Sequence, residues 1–465
     1  MTKDSLNKSS IVYILALSQF AAPFMFSGVG IALPVMGREL HASGVELGLI
    51  EIIYLGAASA FLLPIGHFSD LTDRNTIFKM GTFLYALTTL ILGFLSSIPL
   101  IILLRFIQGC AAALVMSTNM AILTDVVPRE KLGKAIGFNI GAVYLGLSAG
   151  PFIAGWITST YGWRWVFHFT FFPLLLSFCI ISFNLKSNWN FPKINFDWMG
   201  SAAIVITVFL LISGSAMLGE SAIGYILCGA GIAFGFLFFV IEKRSSHPLI
   251  DLVKIRKNVT LSMALLIQLF MYAGAFGISF LFSLYLQTVK GLSAQSAGQI
   301  MVISPVIMAI FAPICGRLAD KFPPGLLAVI GLVSSLISVL AATQVTADTS
   351  LAYLIGVLIL QGFGFAMFSS PNMAIIMGSV KPNEFGIASA LSAKMRSLGM
   401  AFSMMIITVF MSIYLGHHMI TTHKAEFLLV MRGSFIVFSL FAAAGTYISL
   451  RNSPMKKMPS TKKAS

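Results

Sequence analysis

The chain has 465 residues, of which 57% are hydrophobic and only 10% are charged, and its formal net charge is +14. Soluble domains carry about 25% charged residues, so this composition excludes an ordinary water-soluble globular protein. A positive charge suggests nucleic-acid binding in a soluble chain, whereas in a membrane chain the positions of the charges decide what they mean.

Apolar runs of about 20 residues with few or no charges are typical of membrane-spanning helices, and fourteen of them follow one another along the chain. The first is too long for a signal peptide and has no evident cleavage site, so we expect it to remain as a helix. The predicted spans are 11–33, 47–67, 77–97, 99–122, 135–158, 164–184, 199–218, 222–241, 260–285, 297–315, 325–343, 351–376, 386–414 and 427–449.

The distribution of basic residues predicts the orientation of these spans. With both termini inside, only a few of the 30 Lys and Arg residues fall in outer loops (Arg38, Arg164, Lys290 and Lys424) or within spans (Arg105 and Arg432). This asymmetry predicts a multi-pass protein of the inner or plasma membrane with cytoplasmic termini. The same asymmetry accounts for the net positive charge of the chain, so nucleic-acid binding is not needed to explain it.

Two pairs of segments indicate an internal duplication. "GHFSDLTDR" at 66–74 and "GRLADKFPP" at 316–324 share the frame G-x-[FL]-[SA]-D, and "QGCAAALVMSTNMAIL" at 108–123 matches "QGFGFAMFSSPNMAII" at 361–376. We therefore expect an all-α fold with two parallel six-helix bundles. The predicted divisions are an N-terminal bundle at 1–190, a linker with two extra helices at 191–250, a C-terminal bundle at 251–450 and a basic cytoplasmic tail at 451–465.

Sequence patterns of enzymes are missing from the chain. It contains no HExxH, Gly-x-Ser-x-Gly or P-loop pattern, and its seven His residues are scattered. The four cysteines lie in or at the ends of apolar spans without metal-ligand spacing, so we interpret them as core residues. We expect neither an enzyme nor an ATP-driven pump, and no metal or cofactor.

Several ordered motifs resemble the fourteen-helix drug:proton antiporter branch of the major facilitator superfamily. They are the 66–74 segment already quoted, "LLRFIQG" at 103–109, "YGWRWVF" at 161–167, "FDWMG" at 196–200, "HPLIDL" at 247–252 and "YLQTVKGLSAQSAG" at 285–298. The resemblance implies a monomeric, bacterial, proton-coupled antiporter that exports amphipathic small molecules by alternating access, with protons and the lipid bilayer as its other partners. A dedicated exporter or importer of one metabolite is the alternative, and a non-transporting membrane sensor is a hypothesis of a different class.

The fifth span combines high hydrophobicity with an unusual number of weak helix formers. Its glycines and proline resemble the antiporter signature of that branch, which implies a tight, dry contact with the other half that suppresses proton leak. The alternative is ordinary helix packing through small residues. The residues concerned are Gly137, Gly146, Gly150, Pro151 and Gly155.

The two G-x-x-x-D segments are predicted to form a cytoplasmic gate. The resemblance implies a latch that is made and broken during alternation, whereas the alternative is a set of solvated loop charges. Leu71 and Asp73 stand where the family usually has a basic residue and a glycine. The gate residues are Gly66, Asp70, Arg74, Gly316 and Asp320.

Charged side chains within spans indicate where energy coupling is located, because each costs roughly 2.5–3.5 kcal/mol to insert. Met25 occupies the place of the acid usual in the first helix of the branch, which leaves Glu51 as the intramembrane acid and Arg105 as its base. Counting from the outer ends places both at similar depth. We hypothesise that Glu51 binds the proton and that Arg105 controls its protonation; the alternatives are a Glu51 that faces outer water and a structural Arg105.

Polar and aromatic residues that interrupt apolar spans are predicted to line a substrate cavity near the midplane. Lys394 and Arg396 begin the thirteenth span, where a positive-inside anchor is the alternative to a cavity role. No acid occurs in that span, which weakens the expectation of dicationic substrates. The predicted cavity residues are Gln19, Phe24, Tyr54, Asn119, Gln268, Tyr272, Asn372 and Arg396.

Overall fold

The computed structural model describes residues 3–184, 196–245, 247–249, 252–381 and 384–452, and within them the chain is helical without strands. Fourteen helical segments are long and apolar enough to cross a membrane, which confirms the predicted all-α, multi-pass fold. Most of the 451–465 tail lies outside the described residues. The helices are α1 Lys3–Leu40, α2 Gly44–Leu71, α3 Arg74–Leu92, α4 Ile98–Val126, α5 Arg129–Tyr161, α6 Arg164–Asn184, α7 Trp198–Met217, α8 Ala222–Arg244, α9 Leu252–Lys257, α10 Val259–Ala275, α11 Ile278–Thr288, α12 Ala294–Met301, α13 Ile303–Lys321, α14 Pro324–Ala342, α15 Leu351–Gly378, α16 Phe385–Tyr414 and α17 Lys424–Asn452.

Two of the predicted continuous spans are each built from two helices. The ninth span breaks between α10 and α11, where the Gly277 amide donates to Ser403 Oγ at 2.9 Å instead of continuing the helical ladder. The tenth breaks between α12 and α13, because Pro305 has no N–H to offer the carbonyl of Met301 one turn earlier. Each pair of helices still forms a single candidate span, as predicted.

The first compact unit comprises residues 1–251, 280–302 and 404–430. In it α1 packs on α5, α2 on α4, and the α7–α8 hairpin against α2. A Cβ at Gly214 would lie 2.8 Å from the Cys228 backbone nitrogen, so small residues set the close approach within that hairpin. The unit also holds α11 and α12 from the second half of the sequence, and α12 packs on α5.

The second compact unit comprises residues 252–279, 303–403 and 431–465. Here α15 packs against both α13 and α14, around a core of Cys315, Leu327, Ala366 and Met367. The predicted division at residues 190, 250 and 450 stays a prediction. By the orientation that the charges predict, the outer end of the spans is the one at which residues 41–43, 162–163 and 289–293 connect helices.

Candidate functional site

Glu51 and Arg105 form an ion pair inside the first unit. Arg105 Nη2 lies 3.0 Å from Glu51 Oε2, and the two side chains are 0% and 1% exposed. Each is the eighth residue of its helix, α2 or α4, so both lie about 10 Å from the outer start of their helices. The similar depth predicted from sequence is therefore accompanied by faces that meet, and Glu51 does not face outer water.

Two further hydrogen bonds fix the Arg105 guanidinium, and a third fixes one of its acceptors. Its Nε donates to the Ile50 carbonyl at 3.2 Å, and its Nη1 donates to Gln108 Oε1 at 2.8 Å. Gln108 in turn donates from Nε2 to Thr89 Oγ1 at 2.7 Å. Such a fork of donors locks both the position and the plane of the guanidinium. The charge is thus held by α2, α3 and α4 together.

Two tyrosines close the same cluster. The Arg105 Cζ atom lies 4.3 Å from the centre of the Tyr54 ring, within the usual range of a cation–π contact. The Tyr54 and Tyr85 hydroxyls are 3.1 Å apart, and both residues are buried. The structure therefore places Tyr54, predicted as a cavity residue, against the ion pair.

Within the described residues, one oxygen of Glu51 has no hydrogen-bond donor. Glu51 Oε1 is buried and accepts no hydrogen bond from any described residue. Because an unpaired buried acceptor is costly, and more so on a charged group, the cluster holds the carboxylate form incompletely. Chemically, this is an arrangement in which a proton can be gained or lost on Glu51 while Arg105 keeps its other acceptors.

The glycine signature of α5 lies at two close helix contacts. A Cβ at Gly146 would collide with the Phe20 carbonyl oxygen of α1, and a Cβ at Gly150 would collide with Ser27. A Cβ at Gly155 would lie 2.6 Å from the Ala294 carbonyl oxygen of α12. Gly137, in contrast, has nothing within 4 Å of its ideal Cβ. The strip thus joins α5 to α1 and, at its outer end, to a helix from the second half of the sequence.

The two gate segments have the same local neighbour in each repeat. The ideal Cβ of Gly66 lies 3.9 Å from Ser117 Cβ of α4, and that of Gly316 lies 3.6 Å from Ser370 Oγ of α15. Arg74 Nη1 pairs with Asp125 Oδ2 at 3.1 Å. The side chains of Asp70 and Asp320 lie outside the described part of the structure, so the latch assigned to them stays a prediction.

Three predicted cavity residues belong to two related hydrogen-bond clusters. In the first unit Asn119 Nδ2 donates to the Leu15 carbonyl at 2.9 Å and Asn139 Nδ2 donates to Asn119 Oδ1 at 2.6 Å. In the second unit Asn372 Nδ2 lies 3.4 Å from Gln268 Oε1, which accepts from the Ser392 hydroxyl at 2.9 Å. All are buried. In this conformation these amides tie helices together, and their predicted contact with substrate is untested.

The remaining predicted cavity residues have varied surroundings. Phe24 is buried, with its ring centre 5.4 Å from that of Phe20 and 6.0 Å from that of Phe169. Tyr272 packs on Phe365 at 5.2 Å. Gln19 and Arg396 are half-buried.

Sequence reasoning missed the residues that surround the charged pair. Gln108 appears in the sequence only as one letter of the duplicated segment and of the "LLRFIQG" motif, with no role predicted for it, and Thr89 and Tyr85 carry no recognisable pattern. It also missed Glu39, which accepts from Trp163 Nε1 at 2.8 Å and pairs with Arg164, at the outer end. In the described residues no group of His, Cys, Asp or Glu is arranged to hold a metal ion.

Known proteins share both the sequence pattern and the architecture. The sequence profile described as Major Facilitator Superfamily matches residues 15–404 and, in a second match, 264–464. The riboflavin transporter RibZ of Clostridioides difficile (strain 630) is 26% identical over 84% of this chain and 85% of its own. The tetracenomycin C resistance and export protein of Streptomyces glaucescens is 27% identical over 83% and 73%, and multidrug resistance protein 3 of Bacillus subtilis (strain 168) is 27% identical over 76% and 70%.

Solved structures of transporters share the fold. A peptide transporter POT in complex with sulfate superposes with a TM-score of 0.67 at 14% identity, covering 98% of this chain and 100% of the other. A D-xylose-proton symporter gives a TM-score of 0.65 at 14% identity, covering 97% and 99%. At this identity the likeness concerns the fold alone.

Proposed function

The chain belongs to the major facilitator superfamily and is a membrane transporter rather than an enzyme, and from this premise we propose that it exports amphipathic small molecules in exchange for protons. The observation that carries the proposal is the fully buried Glu51–Arg105 pair. Removing two charges from water costs more than their attraction returns unless every other contact is good. Because Glu51 Oε1 accepts no hydrogen bond from the described part of the chain, the pair is poorly suited to a purely structural role.

In the proposed cycle Glu51 alternates between a carboxylate paired with Arg105 and a neutral acid. Protonation neutralises Glu51, the counter-charge of Arg105. Arg105 can still donate to the Ile50 carbonyl and to Gln108. The cluster thereby changes its charge without losing all of its bonds. Proton binding from the outer side and substrate binding from the cytoplasm then favour different arrangements of the helices, which is the requirement for exchange.

The close contact of α5 with α12 supports the proposal of a sealed outer end. No side chain separates Gly155 from Ala294, or Gly298 from Pro151, so little room remains for water between these helices. We assign this contact the role of limiting proton leak. Arg74 and Asp125, with Asp70 and Asp320, are proposed as cytoplasmic gate residues in a protein of the cell membrane with both termini inside.

Substrate recognition is assigned to the half-buried Gln19 and Arg396 and to the aromatic surfaces of Phe24 and Tyr272. Tyr54, Asn119, Gln268 and Asn372 would add to it if their present bonds were released. Two relatives are named for multidrug resistance and for tetracenomycin C export, which favours amphipathic cargo. Another is named a riboflavin transporter, which favours the second candidate, a carrier of one metabolite.

The test is transport by purified protein in liposomes under an imposed pH gradient, with ethidium as the probe. Wild type and Glu51→Gln are compared, and Glu426→Gln at the outer start of α17 serves as a matched charge control. We expect gradient-driven ethidium movement in wild type and control, and its loss in Glu51→Gln.

Two outcomes contradict parts of the proposal. Full gradient-driven transport by Glu51→Gln would remove Glu51 from the coupling step. Saturable transport of riboflavin by a folded wild type that does not move ethidium would favour the dedicated carrier.

A further inference from the structure

Pro34 leaves one carbonyl of α1 without its helical partner. In a continuous helix the Gly30 carbonyl accepts from the N–H of residue 34, but proline has none. The hydroxyl of Ser283 on α11 takes the place of that donor and lies 2.7 Å from the Gly30 oxygen. The donor comes from the second half of the sequence, and Ser283 is only 2% exposed. A buried backbone acceptor created by one repeat is thus satisfied by the other.

A second bond lies one turn further along α11 and one residue further along α1. Gln287 Nε2 donates to the Ile31 carbonyl at 2.9 Å and lies 3.4 Å from Ser283 Oγ. Gly30 and Ser283 are separated by 253 residues and Ile31 and Gln287 by 256, so both bonds join the two halves of the sequence. We call the two bonds the α1–α11 latch.

Gly30, the acceptor in the latch, also lies close to the unpaired oxygen of the charged cluster. An ideal Cβ on Gly30 would lie 3.8 Å from Glu51 Oε1, with no other atom within 4 Å. At residue 30, therefore, α1 has no side chain between its backbone and the carboxyl group. When α11 separates from α1, water can enter to solvate the Gly30 carbonyl. Because residue 30 is a glycine, it has no side chain that would shield Glu51 from this water.

We propose that Ser283 and Gln287 are positioning residues of a proton gate, which keeps outer water from Glu51 while the latch is closed. This inference rests on the proposed function in taking Glu51 as the proton site. The opening of the latch and the entry of protons are measured separately, so that a failure of either can be recognised.

Opening is measured by the labelling rate of the variant Ala297→Cys in a background without the four native cysteines. Ala297 is fully buried on α12. A membrane-impermeant maleimide is applied to protein in liposomes. Ser283→Ala should raise the labelling rate roughly two- to tenfold, the effect of one neutral hydrogen bond on an equilibrium. Ser283→Thr, which keeps the hydroxyl, should label like wild type.

The Pro34→Ala background supplies the decisive control. Residue 34 then donates its own N–H to the Gly30 carbonyl, so Ser283→Ala should change the labelling rate less than about twofold there. An unchanged rate in Ser283→Ala with Pro34 present would overturn the latch. Equal increases in both backgrounds would do the same, because Ser283 would then act elsewhere.

Proton entry is measured with pyranine trapped in the same liposomes after acidification of the medium. Ser283→Ala should admit protons severalfold faster than wild type, and adding Glu51→Gln should abolish this increase while the faster labelling remains. Faster labelling with no faster proton entry would refute the proton gate. Fast entry that survives Glu51→Gln would instead refute Glu51 as the proton site, and with it the coupling step of the proposed function.

Discussion

Replacing Arg105 with methionine tests whether the buried pair carries real charge. The variant preserves the length of the side chain but leaves Glu51, which is 1% exposed, without its only hydrogen-bond donor among the described residues. It also removes the donors to Gln108 Oε1 and the Ile50 carbonyl. Loss of one member of a buried ion pair costs about 3–5 kcal/mol.

The expected loss is large enough to measure as a thermal shift. At about 2 °C per kcal/mol, the value for larger domains, Arg105→Met should lower the unfolding midpoint by roughly 6–10 °C. The double variant Glu51→Gln with Arg105→Met should recover most of this loss, because it leaves no uncompensated charge. The assay is the unfolding temperature of purified protein in one detergent, followed by tryptophan fluorescence for all four members of the cycle.

A loss below about 2 °C in Arg105→Met would refute the reasoning, since it would mean that water already reaches the carboxyl group. Additive effects of the two substitutions would contradict it equally, because residues in direct contact are expected to couple. Arg432→Met is the matched control. Its side chain is exposed on α17, and the midpoint should stay within about 1 °C of wild type.

Three further predictions concern the glycine strip, the amide clusters and the choice of cargo. Gly155→Ala should speed proton entry into pyranine-loaded liposomes, because its Cβ would press on the Ala294 carbonyl. Gly137→Ala, with open space around it, should match wild type. Equal rates in the two variants would show that the glycine strip does not limit proton leak. Asn372→Ala should lower the unfolding midpoint by an amount equivalent to about 1–3 kcal/mol, because Gln268 loses a buried partner, and an unchanged midpoint would show that water replaces the amide. Since α16 carries Lys394 and Arg396 and no acid, gradient-driven transport in liposomes should favour monocationic ethidium over the dication propamidine at least severalfold, and the opposite preference would place a further acid in the pathway.

Much of the fold was predictable because a membrane imposes one dominant rule. Each span needs about 20 apolar residues, so fourteen spans were visible in the sequence. The two breaks were not, because hydropathy does not register where a backbone bond is lost. The break after α10 depends on Ser403 reaching the Gly277 amide, a contact made across more than one hundred residues.

The depth of Glu51 and Arg105 in the membrane was predictable from sequence, but the direction in which their side chains point was not. Counting residues placed Glu51 and Arg105 at one level, because the rise per residue of a helix is fixed. Which way each side chain points depends on how α2 and α4 pack. A Cβ at Gly109 would collide with the Tyr54 carbonyl oxygen, so this glycine brings the two helices close beside the ion pair. That dependence on packing also explains why Thr89 and Tyr85 were missed.

The duplication shows which parts of the site are specific to one half. Gln108 and Gln361 are equivalent, yet Gln108 accepts from Arg105 whereas Gln361 donates from Nε2 to the Ala275 carbonyl at 2.6 Å. Where the first repeat has Arg105 the second has the buried Leu358, so its glutamine bonds backbone instead of a charge. The two halves also differ in the α1–α11 latch, where Gly30 of the first half supplies an acceptor and Ser283 of the second half a donor. If the proton step lies at Glu51, the second half takes part in it by covering and uncovering Glu51, since it has no counterpart of Arg105.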